Sequence, residues 1–143
     1  MTDEELASAC AEAMWASDRA SQALGMTLED VGPGQARLAM EVRPDMVNGH
    51  DLCHGGLIAT LADSAFAFAC NSHGTVTVAA GFDITLLEPA HLGDLLVAEA
   101  REVVRRGRSG VYDVTIRRGD TVIAEFRGRS RGSDRPLLRD VEA

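Results

Sequence analysis

From Gly55 to Asn71 the chain reads GGLIATLADSAFAFACN, apolar or small nearly throughout, with Asp63 as its one charged residue. A run this long and apolar on nearly every side predicts a buried helix rather than a surface one. Upstream, residues 3–24 read as helical. Leu6, Cys10 and Met14 recur near helical spacing, and Asp3, Glu4 and Glu5 crowd the first turn, where the helix dipole favours acids. Leu24-Gly25-Met26 ends that region, and Gly32-Pro33-Gly34 marks a turn. From Gln35 to Val42 the pattern changes period: Leu38, Met40 and Val42 fall on one face, Arg37, Ala39 and Glu41 on the other, as in a half-buried strand. Pro44 to His54 reads as loop. After Gly74 come four segments rich in β-branched residues: Thr75–Leu87, Leu95–Val104, Val111–Arg117 and Thr121–Arg131. Arg106-Gly107-Arg108-Ser109-Gly110 and Arg118-Gly119-Asp120 have the glycine content of hairpin turns.

The expected order is thus helix, strand, long buried helix, then four strands in succession. Short turns imply antiparallel neighbours. The sheet must wrap the apolar helix, because nothing else in the chain can cover it. This is an α+β pattern. It reads as a single domain over 1–143, with an N-terminal helical segment at 1–25 and a tail at 133–143. There is no repeat, low-complexity tract or domain linker.

Composition narrows the function classes. Apolar residues make up 45% of the chain, enough for a core. The acidic start suits no signal peptide, and the Gly55–Asn71 run is too short and carries a charge, so the expectation is a cytoplasmic protein that does not enter a membrane. Three cysteines, Cys10, Cys53 and Cys70, with no C-x-x-C spacing, read as reduced thiols. The net charge is −8, unevenly spread: residues 1–100 hold 3 Arg against 15 acids, and residues 101–139 hold 11 Arg against 5. An acidic chain is a poor nucleic-acid binder, so no such partner is expected. All 14 basic residues are Arg. An Arg-rich third can hold a small polyanion through bidentate contacts, although most of these arginines fit solvent-facing strand positions equally well.

Asp63 is the most informative residue. A lone acid in an apolar helix is costly unless it is paired or has chemistry to perform, and no Arg lies within one turn of it in sequence. The helix opens on Gly55-Gly56, whose backbone N–H groups lie unshielded at the positive end of the dipole. Such donors suit a carbonyl oxygen that becomes an oxyanion. Gly55 and Asp63 are about two turns apart. They can serve one site only if another surface, such as that of a symmetric partner, closes against the helix. The spacing alone also allows a plainer reading, in which the glycines permit tight packing and Asp63 pairs with a distant Arg.

The run NGHDLCHGGLIATLADSAFAFACNSHG carries Asn48, then His54-Gly55-Gly56, then Asp63-x-Ala65 on an apolar helix. In this it resembles the hotdog-fold acyl-CoA thioesterases, in particular the phenylacetyl-CoA thioesterase type of bacterial phenylacetate degradation. The resemblance extends to Asp18–Met26 and to Asp83-Ile84-Thr85 through Pro89 and Gly93-Asp94, and covers roughly residues 15 to 132. It implies a hotdog fold, an antiparallel sheet wrapped around one long central helix, and hydrolysis of acyl-CoA to free acid and coenzyme A. Arylacetyl groups, including ring-hydroxylated ones, are favoured. Asp63 would be the nucleophile or the base that activates water. Gly55 would give its N–H to the thioester oxygen, Asn48 would hold substrate or water, and His54 would lie beside the thioester. In the family each site spans a dimer interface, so Asp63 would face Gly55 and His54 of a second copy. The assembly would be a homodimer at least, with tetramers built from paired dimers. No cofactor is implied, because coenzyme A is part of the substrate. Gly56, Arg105, Arg108 and Ser109 become candidates for substrate and coenzyme A binding, since the family often places coenzyme A phosphates near this hairpin; a solvated basic turn is the plainer alternative.

Other chemistry has less support. His50, Asp51, Cys53 and His54 include metal-ligand types, but no further cluster completes a tetrahedral set. Cys53 and Cys70 lack an aligned base, and there is no G-x-S-x-G elbow for Ser. A hydratase on the same fold would carry a paired Asp and His at the helix start, whereas the acid here lies mid-helix. A non-catalytic acyl-CoA binding module would be expected to have lost Asp63.

Overall fold

The computed structural model describes residues 1–138. Helix α1 spans Asp3–Ser17 and starts on a capping box: Thr2 Oγ1 accepts from Glu5 N at 3.1 Å, and Glu5 Oε1 accepts from Thr2 N at 2.9 Å. The single helical region expected for residues 3–24 is in fact two helices. Asp18 ends α1, and its Oδ1 accepts from Ser21 N at 3.0 Å, so that it caps α2 at Arg19–Ala23. A side-chain acceptor competes here with continued helix.

Strands β1 (Thr27–Gly32) and β2 (Gln35–Glu41) form a hairpin around Pro33-Gly34, with Gly34 at φ +71°. Helix α3 runs Gly55–Cys70, and β3 (Thr75–Leu86), β4 (Leu95–Arg106), β5 (Ser109–Arg118) and β6 (Thr121–Pro136) follow. All pairings are antiparallel, in the order β1-β2-β4-β5-β6-β3.

Four further expectations change. Strand β1 adds a sixth strand that the chain's pattern did not announce. Strands β3 and β4 are not neighbours, because β3 pairs with β6 at one edge while β4 pairs with β2. The β6 ladder continues to Pro136, paired with Thr75, so residues 133–136 are strand rather than tail; residues 139–143 of that segment lie outside the described residues. Finally, α3 is not covered on every side. Leu61, Ala62, Ala65, Phe66 and Phe68 are buried, but Ala59, Thr60, Asp63, Ser64 and Ala67 are only half-buried.

The buried side of α3 meets the sheet through Leu38, Leu96, Val114, Ile116 and Phe126 in one continuous core. Phe66 lies 5.6 Å from the Tyr112 ring and 5.8 Å from that of Phe126, between centroids. A glycine inside a strand usually weakens it, but a Cβ on Gly128 would stand 2.8 Å from the Phe66 ring, so its absence lets helix and sheet approach. The flank of α3 is held by α1 and α2. Trp15 packs on Phe68 at 6.1 Å, and Ser21 Oγ and Ser64 Oγ lie 2.8 Å apart. Many strand arginines are in exposed ion pairs, such as Arg127 with Asp113 at 2.6 Å and Arg117 with Glu99 at 2.9 Å, each a small contribution to stability. No described helix is long and apolar enough to cross a membrane.

Candidate active site

Asp63 sits mid-way along α3 on its half-open side. It makes no hydrogen bond or ion pair with any described residue, and burial holds its carboxyl above the ordinary range. The distant Arg partner that the plainer reading required is therefore not found among the described residues. Cys70 lies two turns further along the same side, and its thiol is pushed up to about 12 by burial, with the charge of Asp63 adding to the shift.

The segment before α3 is a tight loop. Asn48 Oδ1 accepts from His50 N at 2.9 Å and from Leu52 N at 3.2 Å, and Asp51 takes φ +59° to complete the turn. His54 N donates to Met46 O at 2.9 Å, and His54 O receives Leu57 N and Ile58 N, so the chain enters α3 at a fixed angle. The His54 side chain is exposed and makes no capping bond. The N–H groups of Gly55 and Gly56 have no acceptor among the described residues.

A cleft of about 270 Å³ opens beside this helix start, lined by Asn48, Leu52, Gly55 and Ile58 on one side and by Leu86, Leu87, Pro89 and Ala90 on the other. A Cβ on Gly55 would stand 2.6 Å from Leu86 Cδ1, so the wall from β3 lies directly against the glycine. Gly56 is open, with nothing within 4 Å of a Cβ placed there. A basic, hydroxyl-bearing cavity of about 40 Å³ lies at the other end of α3, lined by Cys70, Thr75, Arg105, Arg108, Ser109 and Ser130. Arg108 there pairs with Asp134 at 2.5 Å.

One chain thus gathers Asn48 and Gly55 at the start of α3 and Arg105, Arg108 and Ser109 near its end, while Asp63 joins neither group. Eight residues of helix separate Gly55 from Asp63 by about 12 Å. Sequence reading did not find the wall Leu86–Ala90, whose only local sign is the strand end at Glu88-Pro89. It also did not find the polar cluster near Arg105, where Glu102 Oε1 meets His73 Nε2 and Tyr112 OH, each at 2.7 Å. Among the described residues no three His, Cys, Asp or Glu side chains are grouped to hold a metal. A groove of about 600 Å³ between α1 and β1 is larger than either cavity, but contains no candidate residue.

Residues 50–125 match the thioesterase superfamily. The acyl-coenzyme A thioesterase PaaI of Escherichia coli is 41% identical over 121 residues, covering 84% of this chain and 86% of the relative. The structure of the E. coli PaaI protein, from the phenylacetic acid degradation operon, superposes with a TM-score of 0.92 at 38% identity, covering 94% of this chain and 99% of that one. A Streptococcus mutans protein solved with acetyl-CoA bound matches with a TM-score of 0.73 at 25% identity, over 76% of this chain and 88% of its own. The shared architecture, one sheet around one long helix, is the hotdog fold.

Proposed function

The chain belongs to the thioesterase superfamily, and from that premise we propose that it hydrolyses acyl-CoA thioesters to a carboxylic acid and coenzyme A, with Asp63 as the carboxylate that delivers the attack. The observation that carries this is Asp63 itself: half-buried, unpaired among the described residues, and held on the open side of a helix otherwise built for a core.

The site is completed by a second copy. Strand β3 is a sheet edge of twelve residues that exposes Val78 (58%), Phe82 (42%) and Leu86 (50%). A long apolar edge is a template for pairing with another chain. Two-fold pairing through β3 sets the two α3 helices antiparallel, so Asp63 of one chain approaches the helix start of the other, and the basic hairpin of one approaches the cleft of the other. The functional unit is a homodimer at least.

In that unit the Gly55 N–H donates to the thioester oxygen, helped by the helix dipole. Asp63 takes a proton from water as the water oxygen bonds to the carbonyl carbon. The tetrahedral intermediate then expels sulfur, the C–S bond breaks with its electron pair on sulfur, and Asp63 returns the proton to the thiolate. A carboxyl held above its ordinary range is a better base near neutral pH, which suits this route. Asn48 has its Oδ1 committed to the loop, which leaves its amide N–H groups for water or substrate. His54 lies beside the thioester. Arg105, Arg108 and Ser109, with Gly56, take the coenzyme A. The acyl group is arylacetyl, in line with the phenylacetic acid degradation operon from which the E. coli relative comes. Coenzyme A enters as part of the substrate and no cofactor takes part. The protein works in the cytoplasm.

The test is thiol release from phenylacetyl-, hydroxyphenylacetyl-, benzoyl- and hexanoyl-CoA by the wild type and by Asp63→Asn. Turnover of the arylacetyl members that is lost in the variant is expected. Activity of Asp63→Asn within a few fold of wild type would refute the role of Asp63, and thiol release from none of the four would refute the reaction.

A further inference from the structure

The cleft beside Gly55 has one wall that begins at the end of β3 and continues outside the sheet. Past Leu86 the chain leaves the sheet and crosses to Leu95, and this crossing carries Leu87, Pro89 and Ala90 into the cleft. Its ends are tied by backbone bonds. Leu87 N donates to Ile123 O at 2.8 Å, Cys53 N to Ala90 O at 2.8 Å, and Gly93 N to Val42 O at 2.9 Å. Glu88 N also donates to Ile123 O, at 3.2 Å, and Leu92 N to Asp51 O, at 3.3 Å, so Pro89, with no N–H to give, is the one residue of the wall without a backbone tie among the described residues. A side chain supplies it: Arg118, the last residue of β5, donates from Nη1 to Pro89 O at 2.7 Å. The same nitrogen lies 3.5 Å from Asp94 Oδ2, which in turn accepts from His91 N at 2.8 Å. One guanidinium therefore bridges the crossing, holding the Pro89 carbonyl and the carboxylate that closes its far turn.

We infer that Arg118 is a positioning residue for the acyl group: by holding Pro89 it fixes the Leu86–Ala90 wall against Gly55, and so sets which acyl groups reach the Gly55 N–H. This rests on the thioesterase reading and adds to it a specificity device outside the residues that touch the reacting atoms. The wall is apolar apart from Glu88, which suits a hydrocarbon or aryl group rather than the nucleotide. A short acyl group hardly contacts such a wall, whereas an arylacetyl group spans it, so loosening the wall acts on the two unequally.

The experiment compares phenylacetyl-CoA with propanoyl-CoA in wild type, Arg118→Ala, Arg118→Lys and Leu86→Ala. Arg118→Ala is expected to lower kcat/KM for phenylacetyl-CoA about tenfold, mainly through KM, and to leave propanoyl-CoA within about twofold. Arg118→Lys keeps a charged donor and recovers part of the loss. Leu86→Ala removes the wall residue itself and changes the ratio in the same direction. An equal fall for both substrates, or no fall for either, overturns the inference, since a merely structural Arg118 would act on both alike. Should Arg118→Ala fail to fold, the ratios of Arg118→Lys and Leu86→Ala decide by the same criterion. A wild type that turns over neither substrate sinks this inference, and with no thiol release from hydroxyphenylacetyl-, benzoyl- or hexanoyl-CoA either the thioesterase reading falls too.

Discussion

Replacing Gly128 by alanine tests how closely the sheet and the helix that carries Asp63 depend on each other. The new Cβ would stand 2.8 Å from Cε2 and Cζ of Phe66 and 2.9 Å from Cδ1. Carbon atoms settle at about 3.5–4.0 Å, so the ring must retreat by roughly 0.7–1 Å. It has nowhere to go cheaply, because Phe66 is 1% exposed and wedged between Tyr112 and Phe126. Overpacking of this kind costs about 1–3 kcal/mol. Against it stands the gain from a stiffer unfolded chain, about 0.4–1 kcal/mol, available because Gly128 does not occupy a left-handed conformation. At mid-range values overpacking outweighs that gain by about 1.3 kcal/mol, or about 4 °C in Tm for a chain of this size. Asp63 lies three residues before Phe66 on α3, so the same retreat displaces the carboxylate and costs about tenfold in kcat/KM. Thermal unfolding and kcat/KM of Gly128→Ala, Phe66→Leu and the double variant check both effects at their common origin. The double variant should recover part of the loss, giving a coupling of about 1 kcal/mol. A Tm equal to or above that of wild type for Gly128→Ala would refute the clash as the deciding contact.

Other consequences come from the titrating groups. The acid limb of the kcat profile should lie above the ordinary carboxylate range, because the role proposed for Asp63 needs it ionised and burial raises its pKa; activity falls as pH falls through that raised value, and a limb at the usual carboxylate position would contradict the assignment. Glu102 shows the opposite sign. Burial alone would raise it, but hydrogen bonds from Tyr112 and His73 and the charges of His73 and Arg105 outweigh burial and hold it low. A carboxylate lowered by folding contributes stability above its unfolded pKa and loses it as pH falls through the folded one, so Glu102→Gln should lower the stability read from urea unfolding at neutral pH, by less than about 1 kcal/mol at this half-buried, partly screened position, and not in acid. Burial raises the thiols of Cys10, Cys53 and Cys70, so none should react quickly with a thiol reagent in the native protein at neutral pH, and all three should react in denaturant.

The elements that the sequence showed clearly are those whose periodicity is driven by burial on one side. Strand β2 alternates because its even-numbered residues face α3, and α3 announced itself by length and apolar content. Strand β1 did not, since TLEDVG is an edge strand with a bulge between Leu28 and Asp30 that breaks the alternation, and most of its side chains are exposed or only half-buried. Strand order was equally hidden: that β3 crosses to pair with β6 depends on where α3 has to lie, which no local pattern encodes. Helix capping inside residues 3–24 was within reach of the sequence, as Asp18 precedes Ser21 at capping distance, but helical spacing on either side masked it. Of the candidate site, the residue types and the gap between Gly55 and Asp63 could be read in the sequence. The cleft wall was not, because Leu86 reads as an ordinary strand residue until its contact with Gly55 is seen.

Three features of the proposed site share one physical property: the isolated chain leaves each of them unsatisfied. Asp63 gives up hydration without gaining a partner among the described residues, the Gly55 and Gly56 N–H groups find no acceptor there, and one edge of β3 finds no ladder. Each of these lowers stability, and α3 tolerates them because its other face is committed to the core through Leu61, Ala62, Ala65 and Phe66. Random defects would be scattered. These lie on one side of one helix and on the strand edge, so a single two-fold contact can answer all of them together, with the carboxylate of one copy brought to the helix start of the other. It follows that dimerisation and activity should be lost together when the edge is blunted. A charge at Val78, as in Val78→Lys, removes no catalytic group and touches no core residue, yet it should yield a monomer by light scattering with thiol release reduced at least about a hundredfold. A monomeric Val78→Lys protein that keeps wild-type turnover would show that one chain holds a complete site, and the division of labour across the two copies would have to be abandoned.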